Sequence, residues 1–129
     1  MLSSSNLKGE GQMDILLADD RKVRLALRVL LEQTPGLTII GEASNAQSLL
    51  AQASATRPDL VLLDWTLPGL HEDGSLGTLR RIYPNLSVIV LSGRPEARKR
   101  ALAAGANAFV SKVDPPERLL AAIGEFYHK

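Results

Sequence analysis

The sequence predicts an α/β fold, a doubly wound five-stranded parallel sheet with helices on both faces. Three observations carry this reading. Short apolar runs alternate along the chain with longer segments of helical periodicity. The runs are apolar at consecutive positions, the pattern of parallel strands buried on both faces. Gly, Pro or Asn punctuates the boundaries between the two kinds of segment.

Asp14 to Ala18 forms the first strand-like run. From Arg21 to Gln33, apolar residues at Val23, Leu25, Ala26, Leu27, Val29, Leu30 and Leu31 suit an amphipathic helix, stopped by Pro35-Gly36. Leu37 to Ala43 is the second strand. Ser44 or Asn45 caps a helix reaching about Ala53, and Arg57-Pro58 breaks the chain. Leu60 to Leu63 is wholly apolar and ends at Asp64. A third helix is expected near Glu72 to Tyr83, although Gly74 and Gly77 each weaken it by about 1 kcal/mol relative to Ala. Pro84-Asn85 turns the chain into a fourth strand, Leu86 to Leu91. Arg94 to Ala104 is the fourth helix, with Gly105 at its end. Ala106 to Val110 is the fifth strand. Asp114 is expected to cap a last helix that opens with Pro115-Pro116 and runs to about Tyr127. Right-handed crossovers between five such units lead to the flavodoxin-like strand order 2-1-3-4-5.

The 129 residues are 45% hydrophobic and 22% charged, the composition of one globular domain with a real core. Absence of cysteine excludes disulfides, thiolate metal sites and thiol catalysis. No apolar run approaches the roughly 18 residues of a membrane span. Residues Met1 to Gln12 read as a flexible polar leader rather than a secretory signal, and residues 13–129 as the domain, expected in the cytoplasm. A net charge of +1 gives no electrostatic reason to expect nucleic acid as a direct partner.

The chemistry sits at the strand ends. Asp19-Asp20 follow the first strand, Asp64 the third, Ser92 the fourth and Ser111-Lys112 the fifth. In a doubly wound sheet these positions share one edge, at the carboxyl ends of the first and third strands. Clustered carboxylates repel unless a cation sits among them, and carboxylate and carbonyl oxygens suit Mg²⁺. Such a metal holds phosphoryl oxygens, with Lys112 and Ser92 beside them and Asp64 as nucleophile. Each residue alone has an ordinary reading: Asp20 an N-cap, Asp64 a loop carboxylate, Lys112 a solvated lysine, Ser92 a turn residue. Their combination, in order at successive strand ends, favours the site.

Four motifs carry a resemblance: Leu17-Ala18-Asp19-Asp20, Leu62 to Gly69, Val90-Leu91-Ser92-Gly93 and Gly105 to Lys112. From about Met13 to His128 the chain resembles the receiver domain of bacterial two-component response regulators. The resemblance implies that Asp64 accepts a phosphoryl group from a histidine kinase or phosphotransfer protein. It implies that Asp20, Asp64 and the Thr66 backbone carbonyl ligate Mg²⁺, with Asp19 helping. It implies that Ser92 and Lys112 hold the phosphoryl oxygens, and that Phe109 is the switch aromatic that follows Ser92 inward. The controlled face is then helix 4, strand 5 and helix 5, for a partner, homodimerisation or an output.

The chain departs from the family pattern twice. His71-Glu72-Asp73-Gly74 stands where relatives have Asp-Gly and an apolar residue; in the usual register Glu72 replaces that Gly and Asp73 a core residue. Val113, not Pro, follows Lys112, as in receivers attached to LuxR-type helix-turn-helix outputs. Arg94, Arg98, Lys99 and Arg100 read as a solvated basic face, and His71 and His128 as surface residues, His71 within reach of the site rim.

The leading expectation is thus a signalling switch, not a dedicated enzyme. An Asp-nucleophile phosphatase resembling the haloacid dehalogenases would carry a second Asp two residues on, where this chain has Thr66. A transcription factor whose DNA-binding half lies outside this chain and a phosphorylation-independent interaction module are the other readings.

Overall fold

The computed structural model describes residues 12–126, so the leader, apart from Gln12, and the residues from Tyr127 onward lie outside it. Strands β1 (Met13–Ala18), β2 (Leu37–Ala43), β3 (Leu60–Asp64), β4 (Ser87–Ser92) and β5 (Ala108–Ser111) form one sheet. Every neighbouring pair is parallel, in the order β2-β1-β3-β4-β5. Helices α1 (Arg21–Glu32), α2 (Ala46–Thr56), α3 (Ser75–Ile82), α4 (Arg98–Ala103) and α5 (Pro116–Gly124) connect the strands.

The two-residue period of the strands explains their unbroken apolar runs. Ile15 and Leu17, Leu60 and Leu62, Ile89 and Leu91, with Val110, pack against Leu27 and Leu31 of α1 and Leu119 and Ile123 of α5. The alternate residues Leu16 and Ala18, Val61 and Leu63, Val88 and Val90 pack under α2, α3 and α4. Both faces are dry, so every position of β3 must be apolar until the strand reaches the sheet edge at Asp64.

The helix boundaries follow local chemistry. Asn45 caps α2 in a reciprocal box with Ser48. That helix continues three residues past the expected Ala53, because nothing stops it before Arg57 turns left-handed ahead of Pro58. The fourth helix is shorter than expected: Pro95–Ala97 forms a 3₁₀ turn and α4 proper begins at Arg98. Asp114 does not cap α5. The N-cap is Pro115, extended and without a side-chain bond, because Pro116 pushes the residue before it out of helical geometry and the helix starts one residue later. Strands β4 and β5 each end one residue later than expected, at Ser92 and Ser111.

The third helix is the largest correction. It starts at Ser75, not near Glu72. Gly74 is left-handed at φ +62° and serves as the N-cap, with Asp73 before it. Ser75 follows, fully buried. His71, Glu72 and Asp73 lie in the turn ahead of the helix, and all three are exposed, so Asp73 does not enter the core.

At the far edge of the sheet, Arg80 of α3 donates to the Leu86 and Pro84 carbonyls and to Asn107 Oδ1. Asn107 in turn bonds both backbone groups of Val88. The Arg80 side chain passes so close to Gly105 that a Cβ there would lie 2.7 Å from it. The starts of β4 and β5 are thus stitched to the end of α3.

The Gly74 turn can be tested. Open space surrounds a Cβ built at Gly74, so only backbone strain opposes substitution. Gly74→Ala is expected to lower unfolding stability in urea by about 1–2 kcal/mol, and Gly74→Asn by less. Equal effects of the two would argue against the left-handed start of α3.

Candidate functional site

The carboxyl edge of the sheet collects the charged residues. Continuing the alternation of their strands, Asp19, Asp64 and Lys112 stand in the rows of Leu17, Leu62 and Val110, on the α1 and α5 side. The parallel register sets β1 beside β3 and β3 beside β4, so the strand ends are level across the edge. One oxygen each of Asp19, Asp20 and Asp64 lie within 4.8 Å of one another.

Asp20 is the N-cap of α1 and also stands in the acidic cluster. Its Oδ1 accepts from the Val23 N–H at 3.0 Å. Asp19 is completely buried. Its Oδ1 accepts the Asp20 N–H at 2.7 Å and the Lys112 ammonium at 3.1 Å. Its Oδ2 is buried with no partner among the described residues. Asp64 Oδ1 accepts the Thr66 N–H at 3.0 Å and the Thr66 hydroxyl at 2.9 Å, with Lys112 Nζ 3.2 Å away. Lys112 thus bridges the two buried carboxylates, and its own N–H is fixed by the Ser92 carbonyl at 2.9 Å.

These surroundings set the charge states. Burial pushes the Asp19 carboxyl up to about 6, helped by the Asp64 charge and opposed by the Asp20 N–H and Lys112. Burial also pushes Asp64 upward, but the Thr66 donors and the Lys112 ammonium outweigh it and hold Asp64 below the ordinary carboxylate range. Burial disfavours the Lys112 cation, yet its bonds and charge attraction to Asp19 and Asp64 hold it above its ordinary value. At neutral pH Asp64 is therefore a carboxylate beside an ammonium.

The donor set fits a hard divalent cation such as Mg²⁺. The three side chains of the cluster all offer carboxylate oxygens, and the orphaned Oδ2 of Asp19 lacks, among the described residues, the partner that a buried charge requires.

The other expected residues are on the same edge or beside it. Ser92 is buried at the end of β4, where its Oγ accepts the Arg94 N–H at 3.0 Å. Phe109 is a half-buried strand aromatic packed against the α2–α4 side of the core. Arg94, Arg98, Lys99 and Arg100 are exposed, in keeping with a solvated face. His128 lies outside the described residues. His71 does reach the rim: its Nε2 lies 2.6 Å from the Trp65 carbonyl oxygen. The Thr66 hydroxyl bond to Asp64 was not expected; a hydroxyl two residues past a strand-end Asp was its only signal. Among the described residues, no helix is long and apolar enough to cross a membrane.

Comparison with known proteins agrees with this geometry. The family model of the response regulator receiver domain matches residues 15–124. The chain is 35% identical over 112 residues to the nitrate/nitrite response regulator NarL of Escherichia coli K12, covering 84% of this chain and 52% of NarL. It is 28% identical over 118 residues to the response regulator UvrY of the same strain, covering 89% of this chain and 54% of UvrY. The chain thus spans about half the length of the curated relatives it matches. A crystal structure of a LuxR-family two-component response regulator from Aurantimonas sp. superposes with a TM-score of 0.79 at 29% identity, covering 88% of this chain and 84% of that one.

The Asp19 environment has a measurable consequence. Its folded pKa, about 6, lies above the ordinary 3.8. Its contribution to stability is therefore full below pH 3.8 and is lost as pH rises through about 6. In metal-free buffer at pH 7, Asp19→Asn is expected to raise Tm by about 5 °C, a gain that shrinks toward pH 4. Thermal scans of both proteins across pH 4–8 in chelator check this (a gain independent of pH would refute it).

Proposed function

The chain belongs to the response regulator receiver family, and on that premise we propose that Asp64 is its phosphoacceptor. The observation that carries the proposal is the Lys112 ammonium lying between the Asp19 and Asp64 carboxylates, at 3.1 and 3.2 Å. An Asp64 oxygen attacks the phosphorus of a phosphohistidine on a sensor histidine kinase or phosphotransfer protein. The P–N bond breaks, its electrons return to the imidazole, and an acyl phosphate forms on Asp64. Oδ1 already receives the Thr66 and Lys112 donors, so Oδ2 is the oxygen left to attack.

Asp19, Asp20, Asp64 and the Thr66 carbonyl would hold Mg²⁺, which supplies positive charge for the phosphoryl oxygens. Lys112, against Asp19 and Asp64, would add a second cation for the same oxygens. The Ser92 oxygen accepts from Arg94, which leaves its own proton to donate to a phosphoryl oxygen. Drawing Ser92 toward the new group opens space into which half-buried Phe109 moves, and this biases the face of α4, β5 and α5. That face is where a partner or a second copy would be controlled.

The protein acts as a switch in the cytoplasm rather than as a turnover enzyme. Its residues 13–129 form the receiver unit. The likeness to NarL and to a LuxR-family structure favours an output of the DNA-binding, transcription-regulating kind, contributed by sequence outside this chain. The phosphatase reading is disfavoured: Thr66 stands where such an enzyme needs a second acid, and its hydroxyl is bound to Asp64.

Incubation with Mg²⁺ and acetyl phosphate, followed by intact mass, tests the assignment. One phosphoryl group is expected on the wild type. None is expected in chelator or on Asp64→Asn. An adduct that survives the substitution would place the chemistry elsewhere.

A further inference from the structure

The segment Leu67 to Gly74 follows the acceptor, and its turn sets what borders the site. Leu70, buried, anchors the turn, and backbone bonds from Asp73 N–H to the Gly69 carbonyl and from Gly74 N–H to the His71 carbonyl close it. His71 is exposed, yet its ring folds back over the acceptor loop. The His71 and Trp65 rings meet edge to face, with centroids 4.3 Å apart and planes at 71°.

The bond that His71 makes is to one end of a particular peptide. The Trp65 carbonyl and the Thr66 N–H are the two ends of a single planar unit. The carbonyl oxygen lies 2.6 Å from His71 Nε2, and the N–H donates to Asp64 Oδ1 at 3.0 Å. A carbonyl can only accept, so the His71 proton is on Nε2. The chain of contacts therefore runs from imidazole to carbonyl, through the amide, and from N–H to the acceptor carboxylate. A hydrogen bond at the carbonyl end strengthens the amide as a donor at the other. It also fixes the plane from which Thr66 presents its hydroxyl to the same Asp64 oxygen, at 2.9 Å.

We infer that His71 is a positioning residue for phosphoacceptance, holding the Trp65–Thr66 peptide that in turn orients Asp64 and the Thr66 carbonyl. This rests on the phosphoacceptor reading above. His71 itself touches neither a metal ligand nor the reacting atoms; it acts through one peptide. The donor makes the difference, not the ring, because packing against Trp65 alone would leave the peptide free to tilt.

Two substitutions separate donor from ring. His71→Phe keeps an aromatic ring against Trp65 and removes the N–H. His71→Gln removes the ring and keeps an N–H donor at similar reach. Trp65 is the only tryptophan, so its emission reports Mg²⁺ binding by the metal-free chain in the absence of any phosphodonor. His71→Phe is expected to raise the Mg²⁺ midpoint about tenfold, the usual scale for loss of a partner behind a ligand, and to slow acetyl phosphate labelling. His71→Gln is expected to restore both, and the Tm of each variant to match the wild type. A His71→Phe protein that binds and labels like the wild type overturns the inference, as does a His71→Gln protein as weak as His71→Phe. A wild type that takes up neither Mg²⁺ nor phosphoryl overturns the phosphoacceptor reading itself, and the inference with it.

Discussion

The ion triad of Asp19, Lys112 and Asp64 governs the arrangement of the sheet edge. Two carboxylates are buried against each other, and a lone buried charge costs several kcal/mol when unpaired. One ammonium, three-quarters shielded from solvent, answers both. That pairing is only possible because Asp19 and Asp64 end adjacent parallel strands and Lys112 ends a strand two places further along. Even so the balance is incomplete, for Asp19 keeps one buried oxygen without a partner among the described residues. The edge is held short of neutrality, and that deficit makes it receptive to a further cation.

Much of this was legible from residue order. Consecutive apolar residues in β1, β3 and β4 signal strands buried on both faces, and each polar residue that ends such a run marks where the sheet edge lies. The strand-end rule then brings Asp19, Asp64, Ser92 and Lys112 together without any side-chain detail. Asp20 shows the limit of weighing readings against one another: cap and cluster are compatible, since a carboxylate has two oxygens. Asp64 and its neighbours were thus visible as a group, but the hydrogen bonds within the group were not.

What was hidden depends on the path of turns. Family spacing alone would put Glu72 and Asp73 into slots meant for Gly and an apolar side chain. The chain instead keeps His71, Glu72 and Asp73 exposed in a turn and resumes the core at Ser75 and Leu76. Glycine can adopt the left-handed geometry that this needs, and the sequence does contain one at the right place, but periodicity cannot say which Gly is used. The contact between His71 and the Trp65 carbonyl is a product of that turn. Likewise Asp114 looked like a cap because its side chain is suited to one, whereas the restriction that Pro116 imposes on Pro115 moved the helix start one residue on.

The Arg80 stitch has a wider meaning. It ties together the starting ends of two strands and the end of α3, at the rim opposite the acid cluster. A frame anchored at one rim tolerates changes of loop length at the other, because an insertion there moves no strand. The His71–Glu72 turn lies at that free rim, and the sheet beside it keeps a continuous register from β3 to β5. Anchorage and innovation are thereby assigned to opposite ends of the same strands. A turn at the acid-cluster rim can therefore change in length, and with it the groups that border the cluster, at little cost to the sheet beneath.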